Sequence, residues 1–271
     1  MSVRRMRLLL GRSLLWLALL SCGPGKSGSS AADCPALRSD SDALDAQVSS
    51  EPGENGRLRA FLQASKDVNW AASRVEHLAA TACRRIGADL GMQQSDMLPR
   101  KGPGGAALGA CDPVAARIDA VMRQGIRPWV IVQPAQCQAN MSAYQRCAGR
   151  CDVNTDPVCN ASCRAHANVN AACQQAVVTV RQGHGGDQAA TLIATLEANL
   201  PALVEAQTTV GQRVLNDAVA VAQAGKSMGS RDSDTGRACV GAGTEQASDA
   251  AIAIQLSVRA SAGITSRVTG M

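Results

Sequence analysis

The chain has 271 residues, with 27 basic and 22 acidic side chains, eleven cysteines and an aromatic content of 2%. Four of the basic residues (Arg4, Arg5, Arg7 and Arg12) and none of the acids lie in residues 1–21, so residues 22–271 carry 23 basic against 22 acidic groups. A near-neutral body with so few rings excludes a protein that neutralises phosphates or stacks bases, and no nucleic-acid partner is expected.

Behind those arginines, Leu14 to Leu20 with Trp16 form an apolar run too short to span a bilayer comfortably. This is the layout of an export signal, and residues 1–21 are expected to be removed. The run ends Leu19-Leu20-Ser21-Cys22-Gly23, which resembles the lipobox of bacterial lipoproteins. That resemblance implies diacylglycerol on the Cys22 sulfur, cleavage before Cys22 and acylation of the new amino terminus. Two or three acyl chains hold a protein on a membrane where one does so only marginally. An ordinary signal with a chance cysteine is the alternative. Gly23 stands where an enterobacterial inner-membrane retention signal has Asp, which by analogy points to the outer membrane, facing either the periplasm or the outside.

Cysteine parity leads to the same compartment independently. If Cys22 carries lipid, ten cysteines remain, at 34, 83, 111, 137, 147, 151, 159, 163, 173 and 239. Ten can all pair, and disulfides persist outside the reducing cytosol.

Residues 23–32 (GPGKSGSSAA) have the composition of a flexible tether, and residues 39–56 look loose as well. Residues 22–55 are therefore expected to be anchor and tether, and residues 56–271 one folded domain. The first long helix is expected over residues 56–90, with Asn55 as N-cap and Gly91 as stop. Phe61, Ser65, Val68, Ala72, Val75, Ala79, Ala82 and Ile86 recur at spacings of four and three along it. A heptad-like seam of mostly small side chains predicts close packing in a bundle. His77 on this helix has no ligand-type neighbour at helical spacing and reads as a solvated position.

The glycine-rich KGPGGAALG (residues 101–109) lacks both the Gly-Lys-Ser/Thr ending and the preceding strand of a phosphate loop, and reads as a linker. A second helix is expected from Asp112 as N-cap and Pro113 at its first position to Gly125. Cys83 and Cys111, ending and beginning consecutive helices, are expected to pair. Residues 126–137 (IRPWVIVQPAQC) carry the best strand signal, and residues 173–182 (CQQAVVTVRQ) mirror it. An antiparallel pair locked by Cys137–Cys173 follows.

Between them, Cys147-x3-Cys151 and Cys159-x3-Cys163 are i,i+4 pairs, each on one helix face, separated by the breaking sequence DVNTDPV. Folded back, they face each other as Cys147–Cys163 and Cys151–Cys159. Residues 138–172 are thus expected to be a stapled helical hairpin projecting as a knob, with Tyr144, Arg146, Arg150 and Arg164 as exposed binding residues. Zinc on the four cysteines is the alternative that His166 keeps open, against the helical spacing and the oxidising compartment. No metal or other cofactor is expected.

Residues 183–186 (GHGG) read as a turn and Asp187 as the cap of the second long helix. Its stripe is Ile193, Leu196, Leu200, Leu203, Val210, Val214, Ala218 and Val221, with a kink or split at Pro201 and an end at Gly225. A shorter helix over residues 237–250 holds Cys239, for which Cys34 is the partner left over; Cys83–Cys239 remains an alternative. In residues 251–269, Ile252, Ile254, Leu256, Val258, Ala260 and Ala262 alternate, which predicts a third strand for the small sheet. The expected class is α+β, mostly α: two long helices in a bundle with shorter ones, a three-stranded antiparallel sheet and the hairpin.

LLSC, ACRRIGADLG (82–91), CDPVAARID (111–119), VQPAQC (132–137), CAGRC and CNASC together resemble a group of uncharacterised cysteine-rich lipoproteins of myxobacteria. The resemblance implies envelope localisation and a helix-plus-small-sheet build, and it points to no particular function. Three isolated histidines, without Gly-x-Ser-x-Gly or His-Glu-x-x-His, give no catalytic constellation, so an enzyme is not expected. The reading is a lipid-anchored envelope protein, structural or engaging an envelope protein partner. A carrier of an apolar ligand or lipid is the alternative, and a zinc module or an enzyme ranks below both.

Overall fold

The first long helix begins where a proline can begin one. In the computed structural model, which describes residues 34–38, 42–181, 187–207, 210–228 and 234–269, helix α2 runs from Pro52 to Asp89 with Pro52 in its first turn. It follows a four-residue turn of helix, α1 (Pro35–Arg38). Asn55 is not its N-cap; the side chain lies buried in the first turn and accepts bonds from Val48 N (2.8 Å) and Ser49 N (3.0 Å). Gly91, at φ +79°, does end the helix, letting Met92 N reach back to Gly87 O at 2.9 Å. Every residue of the expected seam, from Phe61 to Ile86, is buried.

Helix α3 (Gly105–Met122) starts earlier than expected and continues through Pro113. Glu76 of α2 supplies the cap, accepting from Ala106 N at 2.7 Å, whereas Asp112 pairs with Arg100 at 2.8 Å. The glycines of residues 101–109 are therefore not a plain linker. A methyl group at Gly109 would come within 2.1 Å of Leu98 O, so this turn of helix packs directly on the preceding backbone.

Strands β1 (Trp129–Gln133) and β4 (Val177–Arg181) pair antiparallel, Val130 opposite Val180 and Val132 opposite Val178. Beyond Pro134, which has no N–H to donate, the ladder resumes as β2 (Cys137–Gln138) and β3 (Ala172–Cys173), with Cys137 opposite Cys173. Between β2 and β3 stand helices α4 (Met141–Ala148) and α5 (Pro157–Val169). Helices α6 (Asp187–Gln207) and α7 (Val210–Ser227) follow. The first of these helices runs unbroken through Pro201 to Gln207. The expected turn at 183–186 lies outside the described residues, as do residues 1–33 with the signal and Cys22.

The last expectation fails outright. Residues 251–269 are not a third strand; they belong to one helix, α8 (Asp234–Thr269), and the sheet stays two-stranded in both its parts. From residue 247 on, its buried positions are Ala247, Ala250, Ala253, Ile254, Ser257, Ala260, Ser261, Ile264 and Val268, a helical spacing, while Ile252 is 46% exposed. The period-two pattern arises because the small inward residues Ser257 and Ser261 are polar, which a strand would place outward.

The fold is thus mostly α with small antiparallel ribbons, and α2 is its spine, packed against α3, α5, α6, α7 and α8. One core joins the C-terminal half of α2 to α3, α6, the end of α8 and the β1–β4 ribbon. A second joins its N-terminal half to α5, α7, the first half of α8 and Cys34, Ala36, Leu37 and Ala43. The folded body consequently includes residues ahead of 56: Leu37, Ala43 and Leu44 of the expected tether are buried.

At the centre of the second core, Phe61 fills the space left by two helical glycines, Gly225 of α7 and Gly243 of α8. A methyl group would approach the ring to 2.7 Å at either position. Gly225 therefore does not terminate α7, which continues to Ser227. Propensity alone makes Gly→Ala in a helix stabilising by about 1 kcal/mol. Overpacking here reverses the sign: Gly243→Ala is expected to lose about 1–3 kcal/mol in denaturant unfolding. Gly53→Ala, in open space in the first turn of α2, is the control and should not destabilise.

Candidate functional site

All ten cysteines from 34 onward are joined as Cys34–Cys239, Cys83–Cys111, Cys137–Cys173, Cys147–Cys163 and Cys151–Cys159. The four hairpin sulfurs are bonded to each other in pairs, which takes up the thiolates a zinc site would use. Local capping shapes the hairpin. Asn140 accepts from Ala143 N at the start of α4, and Asp156 accepts from Val158 N and Cys159 N at the start of α5. In the turn, Asp152 accepts from Thr155 Oγ1 at 2.6 Å and from Asn154 N, bonds that hold its carboxyl below the usual carboxylate range.

The hairpin does not project as a knob. Helix α5 buries Val158, Ser162, Ala165, His166 and Ala167, and it packs against α2 and α7. Three of the four expected binding residues have partners within the molecule, and of these Arg146 and Arg150 are exposed. Tyr144 is half-buried on the cluster of Leu44, Ala60 and the hairpin cystines. Arg146 pairs with Asp42 at 3.8 Å and Arg150 with Asp45 at 2.9 Å, tying the hairpin to the segment before α2. Only Arg164 stays exposed without such a tie, close enough to Asp217 to act on its charge.

Sequence reading missed the polar core beneath these residues. His166 is 2% exposed; its Nδ1 lies 2.5 Å from Asp67 Oδ2 of α2, and its Nε2 faces Arg146 Nη2 at 3.5 Å. Asn170 Nδ2 lies 3.4 Å from the same Nδ1 and donates to His166 O at 2.8 Å. Asp67 Oδ1 accepts from Gln63 Nε2 at 2.9 Å, and Gln63 Oε1 accepts from Ala43 N at 2.7 Å. With both ring nitrogens engaged and the ring buried, this histidine holds α5, α2 and residue 43 together. The available signal was the i,i+4 pair Gln63/Asp67 beside the apolar seam. His77, by contrast, is exposed, as expected, with Thr81 beside it.

A cleft of about 350 Å³ opens where α2, the end of α5, the β2–β3 ribbon, α6 and α7 meet. Trp70, Arg74, Glu205, Arg213, Gln174 and the Cys137–Cys173 cystine line it. Its charged groups are mutually engaged: Arg74 lies 5.6 Å over the Trp70 ring and 3.7 Å from Glu205, and Arg213 donates to Cys137 O at 3.4 Å. Trp70 itself is 56% exposed, a rim group rather than a core one.

Next to this cleft, Asp217 of α7 is buried. Burial pushes its carboxyl above the ordinary value, against the opposing pull of the bond from Asn168 (3.2 Å) and the charges of Arg164 and Arg213. Among the described residues, no metal-type cluster of three or more His, Cys, Asp or Glu occurs, and no helix is long and apolar enough to cross a membrane. No protein-family model, curated protein or solved structure matches the chain.

The raised Asp217 value fixes a sign. The native protein keeps this proton at pH values where the unfolded chain has lost it. The associated stability is full below about pH 3.8 and is lost as pH rises through the folded value. Asp217→Asn keeps the acceptor for Asn168 and removes the buried charge. It should raise the melting temperature at pH 7, leave it unchanged at about pH 3, and flatten the fall between them.

Proposed function

We propose that this is a lipid-anchored protein of the bacterial envelope, held at the outer membrane through Cys22, with a structural or protein-engaging role and no catalytic one. The observation that carries the reading is the cysteine arrangement. Five disulfides use ten cysteines and leave Cys22, in LLSC, as the one that remains for a lipid. Disulfides in this number belong to an oxidising compartment. The resemblance to myxobacterial cysteine-rich lipoproteins supports the same placement.

The architecture suits a load-bearing or docking body better than a carrier of apolar ligands. Small side chains close the helix seams, and the cleft beside Trp70 mixes charged and amide groups with Leu78, Val169 and Val214. Arg164, Trp70 and Arg74 are the exposed groups around that cleft and Asp217 that a protein partner would meet.

The test is peptide mass spectrometry of the protein isolated from membranes. The expected peptide begins at Cys22 and carries diacylglyceryl and acyl mass, and Cys22→Ser should leave residues 1–21 attached. A mature chain in which Ser21–Cys22 is intact and the thiol unmodified would contradict the proposal.

A further inference from the structure

The β1–β4 ribbon has two unlike faces. Val130, Val132, Val178 and Val180 point inward onto the cores. The other face is bare: Trp129 is 69% exposed, Val177 54% and Ile131 43%. Register places Trp129 opposite Arg181 and Ile131 opposite Thr179, and Arg127 precedes Trp129 by two residues along the chain. Both arginines are exposed, and neither has an ion-pair partner among the described residues. Residues 126–138 and 172–181 contain no Asp or Glu. An indole and two aliphatic side chains flanked by two uncompensated guanidinium groups match a surface that is apolar below and anionic above.

We infer that this ribbon face is a second membrane contact, seating Trp129 and Ile131 at the interface of an anionic lipid surface while Arg127 and Arg181 meet its headgroups. The inference rests on the proposed anchor for proximity. Twelve residues separate Cys22 from Cys34, a reach of roughly 40 Å when extended. Cys34 is bonded to Cys239, and the ribbon packs with Ile264 and Val268 near the other end of α8. Cys239 and Ile264 are about 38 Å apart at the helical rise of 1.5 Å per residue. A body lying along the membrane therefore brings both contacts to it. Acyl chains fix the protein to the membrane, and the ribbon fixes its orientation, since each Arg near an anionic surface adds about a fivefold preference.

Trp70 and Trp129 are the only tryptophans after residue 21, which makes the inference directly readable. Membrane-isolated protein, reconstituted into vesicles of acyl-brominated phosphatidylglycerol, should show strong quenching of Trp129 (read in Trp70→Phe). Trp70 (read in Trp129→Phe) should be quenched little. Arg127→Glu/Arg181→Glu, or brominated phosphatidylcholine in place of the anionic lipid, should remove most of the Trp129 quenching. Co-elution with vesicles while Trp129 stays unquenched overturns the inference and leaves the anchor standing. Quenching that ignores both the charge reversal and the lipid charge overturns the anionic specificity. Protein that elutes apart from the vesicles overturns the anchor instead. The ribbon is then judged at saturating phosphatidylglycerol, where an unquenched Trp129 overturns it as well. A Trp129 unquenched by lipid but shielded from aqueous iodide in the purified protein overturns it in favour of a protein partner or a second copy on this face.

Discussion

Close approach between helices governs this molecule, and small side chains are what allow it. Alanine recurs throughout both cores, and at the tightest place Phe61 enters the space above Gly225 and Gly243. Such packing gives good contact but removes little apolar area per residue from water, at about 25 cal/mol per Å². Covalent ties supply what the core does not. In the chain-entropy account, the Cys34–Cys239 bond, with a sequence separation of 205, contributes about 5 kcal/mol. Cys151–Cys159, with a separation of 8, contributes about 2.5 kcal/mol. The longest tie thus holds the segment before α2 onto α8, where apolar burial alone offers only Leu37, Ala43, Leu44 and a few neighbours.

The parts legible in the sequence were those whose signal is local. Cysteine spacing at i,i+4 carried the hairpin disulfides, and the four-three recurrence along residues 61–86 carried the spine. The misread parts depend on partners far along the chain. Asp112 followed by Pro113 is a good local start for a helix, yet Glu76 caps α3 from thirty residues away and lets it begin at Gly105. The alternation of residues 252–262 is a real pattern of apolarity. Burial follows size at a close helix crossing, so Ser257 and Ser261 turn inward and Ile252 turns out. Acidic and serine-rich composition made residues 42–50 look loose, and their order comes from Gln63, Asn55, Arg146 and Arg150 elsewhere.

The same long-range ties change what the hairpin is. Two of its arginines, Arg146 and Arg150, pair with carboxylates of residues 42 and 45 while remaining exposed, beside a buried Asp67–His166 pair, and Arg164 stays exposed without such a pair. Hairpin, spine and the segment nearest the proposed anchor therefore form one body. The surfaces left for other molecules lie at the Trp70 cleft and on the outer face of the ribbon. Trp70 and Trp129 are the largest of the exposed apolar side chains, and a functional account must answer to them.

Every element of this account requires the ten cysteines to be fully oxidised in one pairing. Disulfide mapping by peptide mass spectrometry, on protein extracted from membranes without reductant and with thiols blocked at lysis, tests that claim most directly. The predicted result is Cys34–Cys239, Cys83–Cys111, Cys137–Cys173, Cys147–Cys163 and Cys151–Cys159, with no blocked thiol among them. Blocked thiols at 147, 151, 159 and 163, or a Cys83–Cys239 peptide, would contradict it.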